Sequence, residues 1–134
     1  MSVRSPEQIL REARTIALVG ASPKPERPSH FVMRYLLHHG YRVLPVRPRD
    51  CEEVLGIPCV TSLAELDEPI DLVDVFRRAD ALPGIAREAV EAEAGALWLQ
   101  LGLRSPEARE IAVSGGLDYV EDECTAIVHR EALL

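Results

Sequence analysis

Thr15-Ile16-Ala17-Leu18-Val19-Gly20, followed by Ala21-Ser22-Pro23-Lys24-Pro25-Glu26-Arg27-Pro28-Ser29, is the most informative run of this sequence. The first half is apolar and rich in β-branched residues over a length too short for a core helix. That is the pattern of a strand buried on both faces. The second half starts at a glycine, is stiffened by prolines, and leads into a new apolar period of Val32, Met33, Leu36 and Leu37. This predicts a helix that Ser29 caps and Gly40 ends. A strand, a glycine turn and a helix open a βαβ unit.

The same rhythm continues outward in both directions. Upstream, Ser5-Pro6-Glu7-Gln8 is a helix start with a cap, a first-turn proline and a capping-box partner, and Ile9, Leu10 and Ala13 form its apolar stripe. Downstream, further strands are predicted at Arg42–Val46, Asp71–Phe76, Ala96–Leu101 and Leu117–Glu121. Pro45 sits awkwardly in the second of the five, since proline cannot donate to a sheet ladder. Between the second and third lie a short capped turn or helix around Asp50–Leu55, a strand stub at Pro58-Cys59-Val60, and a capping box on a short helix at Ser62–Glu65. Asp80 is read as capping a helix over Leu82–Ala94 that Gly95 closes, and Ser105-Pro106-Glu107 as opening another that ends near Gly115-Gly116. Strands alternating with helices predict an α/β fold with a parallel sheet and helices on both faces.

The 134 residues suit one domain spanning 1–134. No apolar run reaches the roughly 18 residues of a membrane span, and the N-terminus has no apolar leader, so a cytoplasmic protein is expected. A net charge of −7 argues against a general nucleic-acid binder. The three cysteines, Cys51, Cys59 and Cys124, form no CxxC pair. They are read as idle thiols rather than a disulfide framework or zinc site. No metal-ligand spacing and no Ser-His-Asp arrangement stands out. Trp98, inside a strand, is read as core.

Ligands of an open parallel sheet bind beyond the carboxyl ends of its strands. After the first strand, Gly20 lets backbone approach closely, Ser22 offers a hydroxyl, and Lys24 (the only lysine) and Arg27 bring charge. The helix start at Ser29 would turn free N–H groups toward an anion. A proline-stiffened loop with incidental charge is the competing reading. After the second strand, Arg47-Pro48-Arg49 stands where an NAD-binding fold presents an acid to the ribose hydroxyls. Arginine suits a ribose phosphate, so NAD is disfavoured while NADP and coenzyme A remain open. Phe76-Arg77-Arg78 and Gln100-Leu101-Gly102-Leu103 complete the expected ligand edge. Among the histidines, His38 and His39 suit a helix C-terminus and His30 a capping turn. Cys124 follows the fifth strand on this edge, beside Glu121, Asp122 and Glu123, whose charge would raise its pKa and blunt it as a nucleophile.

The stretches Ala17–Ser29, Tyr41–Pro48, Asp71–Arg78 and Leu97–Gly102 resemble the small stand-alone CoA-binding protein family. That family is similar to the CoA-binding domain that opens the succinyl-CoA ligase alpha subunit. The resemblance implies a Rossmann-like three-layer sandwich whose five-stranded parallel sheet is ordered 3-2-1-4-5. It implies CoA phosphates on the Gly20-Ala21-Ser22 loop and the helix at Ser29. Arg47 and Pro48 would take the nucleotide end, and Val75, Phe76 and Arg77 would line the ligand path. With Lys24, Arg27, Gln100 and Gly102 these are the candidate cofactor-binding residues. The ligase's phosphohistidine domain and ATP-grasp partner have no counterpart here, and Val128 stands where that family's tail carries a glutamate. The expectation is therefore binding of CoA or an acyl-CoA without catalysis. The alternatives are an NADP-dependent oxidoreductase subunit and an acyl-CoA-handling enzyme using Cys124. The residues name no protein partner.

Overall fold

The computed structural model describes residues 3–134. Five strands form one parallel sheet: β1 (Thr15–Val19), β2 (Arg42–Val46), β5 (Leu72–Val75), β6 (Ala96–Leu99) and β7 (Asp118–Val120). Each lies within a few residues of its predicted span. A two-stranded antiparallel hairpin, β3 (Glu53–Val54) and β4 (Ile57–Pro58), is inserted after β2.

The sheet is covered on both faces, and the period-2 alternation of each strand explains how. In β1, Ile16 and Leu18 pack with Leu72, Trp98 and Val120 under three helices: α1 (Pro6–Glu12), α2 (Pro28–His38) and α5 (Thr125–Ala132). The intervening Ala17 and Val19 pack with Val73, Val75, Leu97 and Leu99 under α3 (Leu82–Glu91) and α4 (Pro106–Ser114). This is the three-layer, Rossmann-like α/β architecture. Trp98 is buried as expected, its indole N–H donating to the Glu123 carbonyl at 2.8 Å.

The strand order departs from expectation. It is β2-β1-β5-β6-β7, so the five major strands, numbered along the chain, run 2-1-3-4-5 rather than 3-2-1-4-5. The third major strand pairs directly with β1, Ile16 opposite Leu72 and Val19 opposite Val75. The place outside β2 receives only a single parallel bridge from Val60 to Val46, because the chain there is diverted into the β3–β4 hairpin. β2 is thereby nearly an edge strand, which is where Pro45 is tolerated. Its carbonyl still accepts from Val60 N–H at 3.1 Å.

The hairpin also overturns the reading of the cysteines. Its arms bring Cys51 and Cys59 to a Cα–Cα distance of 5.9 Å, where they form a disulfide. Cys124 remains a free thiol.

Several caps differ as well. Ser5 and Ser105 cap α1 and α4 through Gln8 and Ala108 N–H groups at 3.2 and 3.0 Å. Ser62 forms the capping box expected with Glu65, on a short 3-10 turn. Ser29 does not cap α2: Arg27 holds the extended N-cap conformation, Pro28 takes the first helical position, and Ser29 is inside and buried. α3 starts from a 3-10 turn at Ala79–Ala81 with no side-chain cap, leaving Asp80 exposed and 3.8 Å from Arg78. It ends before Glu93, which adopts φ 56°, and not at Gly95. Gly95 is required elsewhere: a Cβ there would lie 2.7 Å from the Asp71 carbonyl oxygen, where the chain passes the start of β5.

Candidate functional site

The order β2-β1-β5 puts the topological switch point between β1 and β5, the position at which ligands enter sheets of this kind. A cleft of about 970 Å³ opens there, along the carboxyl ends of the strands. That volume suits a nucleotide-sized organic ligand.

Gly20 forms the floor of the cleft. Its N–H donates to the Val46 carbonyl at 2.9 Å, and its φ is +91°. A Cβ at this position would overlap the Phe76 carbonyl oxygen. Glycine is therefore needed both for the left-handed turn and for the approach of β1's exit to β5's exit. Ser22, nearly buried, accepts from Lys24 N–H at 3.1 Å, which tightens the turn and leaves its hydroxyl hydrogen to donate. At the start of α2, Pro28 has no N–H, while those of His30 and Phe31 bond back to Arg27. Ser29 is the first-turn residue whose backbone N–H makes no bond among the described residues.

Arg47 is clamped in place. Its Nε donates to the Arg49 carbonyl at 3.0 Å and one Nη to the Ala21 carbonyl at 3.1 Å. This ties the loop after β2 to the loop after β1 and leaves the rest of the guanidinium fork for a ligand. Arg27, Arg49, Arg77 and Arg78 also line the cleft, and Asp50 is the single carboxylate among the lining residues. Among the described residues no carboxylate lies within ion-pairing distance of Arg27, Arg47, Arg49 or Arg77. A chain of net charge −7 thus concentrates unpaired arginine at one edge. Such a site favours an anion of several charges.

The far wall is less polar. Phe76, Leu101 and Leu103 face the cleft, with Val32 from α2. Gln100 and Cys124 complete it, the latter at the N-cap of α5.

Of the thirteen residues expected from sequence, nine line the cleft: Gly20, Ser22, Arg27, Ser29, Arg47, Pro48, Phe76, Arg77 and Gln100. Four do not. Ala21 is buried beneath the turn and contributes only its carbonyl, to Arg47. Lys24 is exposed outside the cleft. Val75 points into the core under α3 and α4. Gly102, with φ +84°, gives its N–H to Asp122 at 2.7 Å. Pro28, Val32 and Asp50 are not among the candidate residues, which lie mainly just past each strand, whereas Leu103 of the expected ligand edge does line the cleft. The helical spacing of Pro28 and Val32, one turn apart on α2, was the available signal. The histidines are not cleft residues: His30 is buried with Nδ1 unpartnered, and His129 is buried with Nδ1 2.9 Å from the Tyr35 hydroxyl.

Behind the cleft wall lies an uncommon polar group. Asp74, wholly buried in β5, accepts from Gln100 Nε2 at 2.6 Å and from the Thr125 hydroxyl at 2.9 Å. Gln100 Nε2 also donates to Thr125 Oγ1 at 3.0 Å. Burial pushes the Asp74 carboxyl up to about 7, against the opposing pull of its two donors.

Comparison with known proteins places this geometry in context. Residues 14–130 match a family model described as a CoA binding domain. The uncharacterized protein YneT of Bacillus subtilis is 41% identical over 123 residues, covering 92% of this chain and 90% of YneT. An ADP-forming acetate–CoA ligase of Archaeoglobus fulgidus is 25% identical over 88% of this chain, but the match spans only 18% of that enzyme. Among solved structures, a hypothetical protein from Pyrococcus horikoshii superposes with a TM-score of 0.92 at 38% identity, covering 98% of this chain and 94% of that one.

Proposed function

Because this chain belongs to the CoA-binding domain family, we propose that its switch-point cleft binds coenzyme A or an acyl-CoA. The observation that carries the reading is the set of unpaired arginines around Gly20, with Arg47 held between two loops. The diphosphate would rest on the Gly20–Ser22 turn against the Ser29 N–H. Arg47, with Arg49 beside it, would take the ribose 3′-phosphate. The pantetheine arm would run past Phe76 toward Leu101, Leu103 and Cys124. Isothermal titration with CoA, dephospho-CoA, NAD and NADP tests this. CoA should bind most tightly and NAD weakest; NAD binding as tightly as CoA would defeat the reading.

A second reading is supported by the position of Cys124, a free thiol on the cleft wall at the N-cap of α5. The chain would then accept an acyl group by thioester exchange, Cys124 Sγ bonding the acyl carbon and CoA leaving as its thiol. Mass spectrometry after incubation with acetyl-CoA would show the acylated protein. Its absence at Cys124 leaves a binding module.

A further inference from the structure

Gln100 lines the cleft although it is 5% exposed, so little more than one edge of its amide can meet a ligand. Which edge is decided from behind. Asp74 Oδ1 acts as the acceptor here, and an amide oxygen turned toward its lone pairs would be repelled. The nitrogen therefore faces inward, 2.6 Å from Asp74 Oδ1 and 3.0 Å from Thr125 Oγ1, and both its hydrogens are used. Thr125 cannot reverse this arrangement, because its own hydroxyl hydrogen goes to Asp74 Oδ2 at 2.9 Å. The Gln100 side-chain oxygen, Oε1, is left with no protein donor among the described residues and with the cleft before it.

We infer that Asp74, without touching the ligand, fixes the sense of this wall: it turns Gln100 so that a pure acceptor meets an N–H donor of the bound molecule. Resting on the CoA reading above, that donor is an amide N–H of the pantetheine arm, which adenosine 3′,5′-bisphosphate lacks. Asp74 is a positioning residue, and Gln100 is the one that makes the contact. Apart from Asp50, the cleft's charged groups are arginines, with backbone N–H groups beside them, all donors suited to phosphate. Gln100 adds the opposite polarity at the pantetheine end. The arrangement therefore selects for the arm and not for the nucleotide.

The experiment titrates CoA and adenosine 3′,5′-bisphosphate against the parent chain and four variants. Gln100→Met keeps length and loses the acceptor. Asp74→Leu removes the anchor. Asp74→Asn keeps an acceptor for Gln100 and should preserve its orientation. Thr125→Val removes the second partner. CoA affinity should fall about tenfold in Gln100→Met and Asp74→Leu, as for one lost hydrogen bond. Asp74→Asn should stay within about twofold of the parent, and the bisphosphate should bind all variants alike. Thr125→Val should show an intermediate loss, again for CoA alone. CoA binding unaltered in Gln100→Met, or the two compounds losing equally, would overturn the inference while leaving the CoA reading intact. If Asp74→Leu fails to fold, the Gln100→Met and Thr125→Val results decide. A parent chain that binds neither compound would overturn the reading and the inference together.

Discussion

Gly20 shows how far a single residue can be read. The sequence marks it as the end of a buried strand before a loop, which suffices to suspect a turn that only glycine adopts readily. What it cannot reveal is the partner: the Phe76 carbonyl, fifty-six positions on, occupies the space a Cβ would need. That contact depends on which strand lies beside β1, and nothing local encodes it. Gly116 supplies the comparison, since it has φ +86° with no atom within 4 Å of an added Cβ. Gly116→Ala should cost about 1–3 kcal/mol from backbone conformation alone. Gly20→Ala should cost more, because Phe76 backbone must also move. Urea unfolding of both variants measures the difference, and equal losses would mean that β5's exit yields freely. Arg47 was legible by its place after β2, but its bonds to Ala21 and Arg49 were not. They imply that Arg47→Ala loosens two loops besides removing a charge. CoA should then weaken by about 10- to 100-fold, the range for a charge-assisted hydrogen bond. Dephospho-CoA should weaken less, through the loops only. Equal losses in calorimetry would refute a role at the 3′-phosphate.

Elements were legible where their signals are local. β1, β2 and β6 are apolar runs, and α1 and α4 carry Ser-Pro-Glu starts that the chain uses. Ser29 looked equally good, yet Pro28 pre-sets the first helical φ and moves the boundary so that Arg27 becomes the N-cap. Ser105→Ala should therefore destabilise the chain by about 1 kcal/mol, the usual worth of a serine cap. Ser29→Ala should lose no cap energy at all, and thermal unfolding of the pair separates them. The helix that escaped notice is α5. Its buried positions are Thr125, Ala126, Val128 and His129, two of them polar, so the apolar period that announces a helix is broken. Those polar positions are the ones in use: Thr125 joins Asp74 and Gln100, and His129 meets Tyr35. The disulfide was hidden for a related reason. The pairing of Cys51 with Cys59 depends on a hairpin with only two residues per strand, too short to carry a pattern.

At the level of the whole molecule, layer architecture followed from alternation of elements, while strand order did not, because the pairing of β5 with β1 is a long-range choice among similar apolar strands. That choice also puts Asp74 opposite Leu18 and beside Trp98, deep in the sheet, with no cation to meet it among the described residues. The consequence is a global dependence of stability on pH. The Asp74 carboxyl is raised from the ordinary 3.8 to about 7, chiefly by burial. Between those values the folded chain holds a proton that the unfolded chain has released, so stability falls as pH rises through this window and levels off above it. His129 acts in the opposite sense: burial, aided by His39, lowers its pKa, so stability is lost as pH falls through its range. A bare profile of unfolding against pH mixes the two. Asp74→Asn removes the first and leaves the second, so the informative quantity is the stability of the Asn variant minus that of the parent. Between about pH 5 and about pH 7 this difference should grow in favour of the variant by about 1.4 kcal/mol per pH unit at most, and then flatten. Denaturant titrations at four or so pH values supply the points. A difference that stayed constant, or shrank, across that range would mean that the carboxylate is solvated in the fold, and that the buried triad does not hold in solution.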